Sequence, residues 1–99
     1  MRKETGIAKK RVRAYYSGMV QGVGFRYTAE SIARTMGVSG WVKNLADDRV
    51  ELVCEGREDL LAGFLARIKN GALRPYIQDV ELEWSDATGE FSGFEIRFW

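Results

Sequence analysis

Apolar and polar residues alternate along several short stretches of the chain. In RVRAYYS (11–17), Val12, Ala14 and Tyr16 share one face. In RVELVCE (49–55), Val50, Leu52 and Cys54 point one way and Glu51 and Glu55 the other. In DVELEW (79–84), Val80, Leu82 and Trp84 oppose Glu81 and Glu83, and in GFEIRFW (93–99), Phe94, Ile96 and Phe98 oppose Glu95 and Arg97. This period of two predicts strands with one apolar and one polar face. SGWVKN (39–44) reads as a shorter, less regular strand. Two other stretches carry helical spacing. Ala29, Ile32, Ala33 and Met36 fall on one helical stripe, and Gly37 follows as a stop. Leu60, Leu61, Phe64, Leu65 and Ile68 form a second stripe. Glu58 and Asp59 stand in its first turn, Arg67 and Lys69 in its last, and Gly71 ends it. That charge order suits the helix dipole.

The predicted order is β-α-β-β-α-β plus a C-terminal strand. This is an α+β, ferredoxin-like split βαβ sandwich, with an antiparallel sheet and two helices on one face. Strands with one apolar face suit a sheet covered on one side and wet on the other. NLADDRVE (44–51) is expected to hold the turn joining the second and third strands. Pro75, the only proline, falls in a connection. Residues 1–9 are polar and read as a basic, flexible N-terminal arm, leaving 10–99 as a single domain.

Composition narrows the chemistry. At 99 residues, with 45% hydrophobic and 29% charged residues, the chain suffices for one modest core. A net charge of +1 supplies no field to gather nucleic acid or a membrane surface, although KKRVR (9–13) is locally basic. No apolar run is long enough for a membrane span, and the start is too charged for a signal peptide. The single cysteine, Cys54, favours a reducing compartment, so a soluble cytoplasmic protein is expected. The chain has no histidine, which removes imidazole acid–base chemistry. Cys54 and the scattered carboxylates show no metal-ligand spacing, so neither metal nor cofactor is expected.

The stretch SGMVQGVGFR (17–26) lies between the first strand and the first helix and holds three glycines and one arginine. The glycines fit two readings. They can serve a tight crossover, or they can let consecutive N–H groups converge on an anion at the helix N-terminus. A dinucleotide fingerprint would need glycine where Tyr27 stands, and a P-loop would need Lys-Ser/Thr where Phe25-Arg26 stands. No thiol is present in the loop to attack phosphorus. Arg26 can reach two phosphate oxygens at once, or it can be an exposed helix residue. Asn44, taken alone, reads as a strand-end residue.

GMVQGVGFR (18–26) resembles the acylphosphatase signature G-x-V-Q-G-V-x-F-R. GVSGWVKNLADDRVELVCEG (37–56) is similar to that family's second block, including an asparagine after W-V-x, here Asn44. GFEIRF (93–98) resembles its last strand. Where the family has Asp-Gly in the second-block turn, Asp47 is here followed by Asp48. The resemblance implies hydrolysis of acyl phosphates, the mixed anhydrides of carboxylic acids and phosphate. It implies that the loop residues Gln21, Gly22, Val23, Gly24, Phe25 and Arg26 bind the phosphate, Gln21 through its backbone. It further implies that Arg26 clamps the oxygens and that Asn44 holds the attacking water. Such chemistry is mostly positioning. The leaving carboxylate needs no general acid, and the water's proton can pass to a phosphate oxygen. Inorganic phosphate is then both product and inhibitor, and a monomer with no nucleic-acid or membrane partner is expected.

Two other classes share this element order. An RNA-recognition module needs aromatics on the third strand, where this chain shows Glu51 and Glu55. A non-catalytic anion-binding domain, or a carbamoyl-phosphate-handling domain of a larger protein, would keep the loop. The end of the chain at Trp99 favours a stand-alone enzyme.

Overall fold

The computed structural model describes residues 8–98. Most of the expected N-terminal arm therefore lies outside the described residues. The elements run β1 (Lys9–Gly18), α1 (Phe25–Met36), β2 (Ser39–Asn44), β3 (Val50–Arg57), α2 (Glu58–Asn70), β4 (Ile77–Asp86) and β5 (Phe94–Arg97). A short 3-10 turn, Arg74–Tyr76, precedes β4 and takes Pro75 in its first turn, where the missing N–H costs nothing. The five strands form one sheet in the order β4-β1-β3-β2-β5. The ferredoxin-like arrangement read from the sequence is present, and among the described residues no helix is long and apolar enough to cross a membrane.

The alternation resolves as expected on the helix side. Val12, Ala14 and Tyr16 of β1, Leu52 and Cys54 of β3, and Val42 of β2 are buried there. They meet Ala29 and Ala33 of α1 and Leu61, Phe64 and Ile68 of α2. Each large aliphatic or aromatic side chain so buried contributes about 1.5–3 kcal/mol. Helix α1 lies over β2 and β5, and α2 lies chiefly over β3.

Three features depart from the sequence reading. First, β5 runs parallel to β2, so the sheet is mixed. Alternation fixes faces and carries no information on strand direction. Second, the face away from the helices is not simply wet. Glu51 and Glu55 of the central strand are buried, because Arg13 of β1 closes on Glu51 and Arg11 of β1 closes on Glu55 at 2.8 Å. Trp41 lies beneath the cations of Lys43 and Arg97, which stack on its ring. The apolar stems of long charged side chains cover this face. Third, Leu82 and Trp84 keep more than two-fifths of their surface exposed. They sit on the edge strand β4, which has a neighbouring strand on one side only.

Glu55 also holds the connection after β4. It accepts the Thr88 N–H, the Thr88 hydroxyl and the Gly89 N–H, together with Arg11 Nε. Burial opposes its charge, but these donors overcome that opposition and bring its pKa down to about 2.

Candidate active site

The glycine loop is pinned at both ends by buried side chains. Val20 is fully buried, and Phe25 packs beneath the loop with its ring 4.8 Å from Tyr16. Between these anchors Gly22 and Gly24 are exposed, with φ of 80° and 79°. A side chain at either position would meet nothing within 4 Å, so what demands glycine is the left-handed backbone rather than space. Gly18 is different. It takes φ 124° at the register shift that ends β1, and a Cβ there would strike the Tyr76 carbonyl oxygen. The Met19 N–H donates to that same oxygen at 3.0 Å.

The result is a ring of unused donors. Gln21 and Gly22 form a turn, and beyond it no backbone N–H from Val20 through Tyr27 makes a hydrogen bond of normal geometry to another backbone group among the described residues; the first helical bond is from Thr28 N–H to Gly24 O. Helix α1 has no side-chain cap and no acidic residue in its first turn. It carries Arg26 there instead, against the helix dipole. Helix α2 shows the ordinary solution: Glu58 and Asp59 occupy its first turn, and Asp59 accepts the Leu60 N–H at 2.8 Å. The start of α1 is therefore left electropositive, and an anion in the loop mouth would satisfy it.

Asn44 ends β2 on the helix side of the sheet, in register with Val50, which is itself in register with Tyr16. No described residue hydrogen-bonds its amide, and that amide is not sealed from solvent. Its position depends on the turn that follows. Leu45 N–H donates to Arg49 O at 2.8 Å, and Asp48 takes φ 73°, the conformation that glycine would supply. Asp is among the residues that tolerate this region best. Asp47 braces the turn by accepting the Arg49 side chain at 2.9 Å.

Gln21 shapes the loop through its side chain as well as lining it with its backbone. Its side-chain amide donates to Leu45 O at 2.8 Å and to Arg49 O at 2.9 Å. It ties the glycine loop to the turn behind Asn44. The side chain is thereby committed to the protein, leaving only the Gln21 backbone for a ligand.

Arg26 makes no ion pair among the described residues; its guanidinium lies 4.8 Å from the Phe98 ring centre. The pairing of β5 with β2 sets Arg97 beside Lys43, so Phe98 follows beside Asn44. The loop, Arg26, Asn44 and Phe98 thus gather at one end of the sheet. Other candidates stand apart. Ser17 stands opposite Asp79 across the β1–β4 ladder, and among the described residues no hydrogen bond joins the two side chains. Cys54 is buried in the core, and burial, with the charge of Glu55 beside it, pushes its thiol up to about 12, so it is inert.

A glycine loop at a helix N-terminus, with an arginine and an amide that find no polar partner among the described residues, makes an α+β domain suited to hold an anion. Comparison with known proteins specifies it further. The acylphosphatase family model matches residues 12–96. An acylphosphatase of Salinibacter ruber is 42% identical over 95% of this chain and 98% of its own. The crystal structure of acylphosphatase from Bacillus subtilis superposes with a TM-score of 0.82 at 36% identity, covering 89% of this chain and 98% of that one. An acylphosphatase from Coxiella burnetii gives 0.80 at 28% identity, over 97% of this chain and 100% of its own. The chain belongs to the acylphosphatase family.

Proposed function

We propose that this protein hydrolyses acyl phosphates to a carboxylate and inorganic phosphate. The observation that carries the reading is the run of largely unpartnered backbone N–H groups between Val20 and Tyr27, beside Arg26. In this reading the N–H groups of residues 21–26 cradle the phosphate oxygens and the Arg26 guanidinium clamps them. Arg26 offers planar, paired donors that match phosphate geometry. The Asn44 amide, at the end of the neighbouring strand, holds a water in line with the scissile bond. Water oxygen bonds to phosphorus as the bond from phosphorus to the acyl oxygen breaks. The acyl oxygen leaves as a stable carboxylate, and the water's proton goes to a phosphate oxygen.

No step requires a side-chain nucleophile, acid or metal, because the substrate is already activated. Inorganic phosphate, which fits the same cradle, inhibits competitively. The domain, whose first strand already includes Lys9 and so begins one residue earlier than the sequence suggested, forms the catalytic unit and works as a cytoplasmic monomer.

The test is benzoyl phosphate hydrolysis by the wild type, Arg26→Ala and Asn44→Ala. Both variants are expected to lose activity on the scale of an oxyanion-type contact, about 3–4 kcal/mol of transition-state stabilisation. Arg26→Ala also weakens phosphate inhibition, whereas Asn44→Ala leaves it close to wild type. Near-wild-type rates in Arg26→Ala overturn the assignment.

A further inference from the structure

Among the described residues Arg11, Arg13, Arg34, Arg49, Arg57 and Arg97 each meet a carboxylate, whereas Arg67 and Arg74, like Arg26, do not. Arg26 is held differently, by the Phe98 ring at 4.8 Å. The difference matters for a ligand-binding arginine. The five N–H donors of a guanidinium lie in its plane. A carboxylate partner would occupy some of them and cancel the charge. An aromatic ring stacked on one face leaves every donor free and favours the charge through its quadrupole. It also restricts the side chain's rotamers before the ligand arrives.

Phe98 is otherwise hard to explain. It is 65% exposed, so it contributes little to the core. The parallel pairing of β5 with β2 brings it to the end of the sheet that bears Asn44, one residue beyond the Lys43–Arg97 pair.

We propose that Phe98 is a positioning residue, whose ring holds the Arg26 guanidinium charged, with its donors free, and preoriented for phosphate. The inference rests on Arg26 being the phosphate clamp. The experiment measures the inhibition constant of inorganic phosphate, KM and kcat for benzoyl phosphate, and the thermal midpoint. The variants are Phe98→Ala, Phe98→Leu, Phe98→Tyr, Arg26→Ala and the double variant Arg26→Ala/Phe98→Ala. Loss of a partly exposed cation–π contact is expected to raise the phosphate inhibition constant and lower kcat/KM about three- to fivefold in both Ala and Leu. Phe98→Tyr stays within about twofold of wild type, since it keeps the π face. The double variant is no worse than Arg26→Ala alone, because the ring acts only through the arginine.

A leucine that rescues as well as tyrosine overturns the proposal and makes the contact simple packing. So does an alanine variant that lowers the midpoint but leaves phosphate inhibition unchanged. If Arg26→Ala itself leaves phosphate inhibition unchanged, the clamp reading fails, and the proposal falls with it. If Arg26→Ala weakens inhibition and Phe98→Ala does not, the clamp stands and only the positioning role is lost.

Discussion

The contact most open to a quantitative test is that of Gln21 with the turn behind Asn44. Its amide spends both protons on the Leu45 and Arg49 carbonyls, at 2.8 and 2.9 Å. Gln21→Ala removes both bonds. Neither carbonyl is orphaned, since Asp48 N–H reaches Leu45 O at 3.3 Å and Leu45 N–H reaches Arg49 O at 2.8 Å. The cost is then two ordinary hydrogen bonds without a desolvation penalty, about 2 kcal/mol in all. For a domain of this size that lowers the thermal midpoint by about 10 °C. Gln21→Glu keeps the shape but replaces two donors with a charged acceptor facing two carbonyl oxygens. It is expected to be less stable than the alanine variant. The backbone of residue 21 is unchanged in both, so phosphate inhibition persists while kcat falls, because the strand end bearing Asn44 is no longer held to the loop. Thermal melts and steady-state assays of the two variants measure all of this. A glutamate variant at least as stable as the alanine variant, or an alanine variant with wild-type kcat, would refute the reasoning.

Other outcomes follow from single features. Asp48→Gly relieves an L-residue of its left-handed φ of 73° and is expected to stabilise the fold by about 0.5–1 kcal/mol in urea melts, with activity retained. The carboxylate of Glu55 is held down to about 2, below its unfolded value of 4.5. The stability it contributes is therefore complete above the unfolded value and is lost as pH falls from there toward the folded one. Glu55→Gln is accordingly expected to flatten the acid limb of stability over that window, a change that denaturant melts across acidic pH will reveal. Activity is expected to survive dialysis against a chelator, which assays with and without added magnesium will check.

Much of this was legible in the chain itself. The helix stripes and strand faces followed from periodicity, whereas the roles proposed for the loop, Arg26 and Asn44 rest on the resemblance of one nonapeptide and one block to the acylphosphatase family. What escaped has a common cause. Gln21 binds backbone carbonyls 24 and 28 residues away, and a carbonyl acceptor has no residue identity to recognise. Arg26 and Phe98 meet only because β5 lies parallel to β2, a direction on which alternation is silent. The burial of Glu51 and Glu55 depends on arginines of the neighbouring strand, and the exposure of Leu82 and Trp84 depends on β4 being an edge. Each is a property of strand order and register, which a single strand's pattern does not encode.

Which atom the water attacks decides between a site built around phosphate and one that merely tolerates it. Benzoyl phosphate hydrolysed by the enzyme in oxygen-18 water, followed by mass analysis of both products, answers this directly. Water held by Asn44 against a cradled phosphate puts the label in inorganic phosphate and leaves benzoate unlabelled. Label in the benzoate carboxylate would mean attack at the acyl carbon and would contradict the roles given to the loop, Arg26 and Asn44.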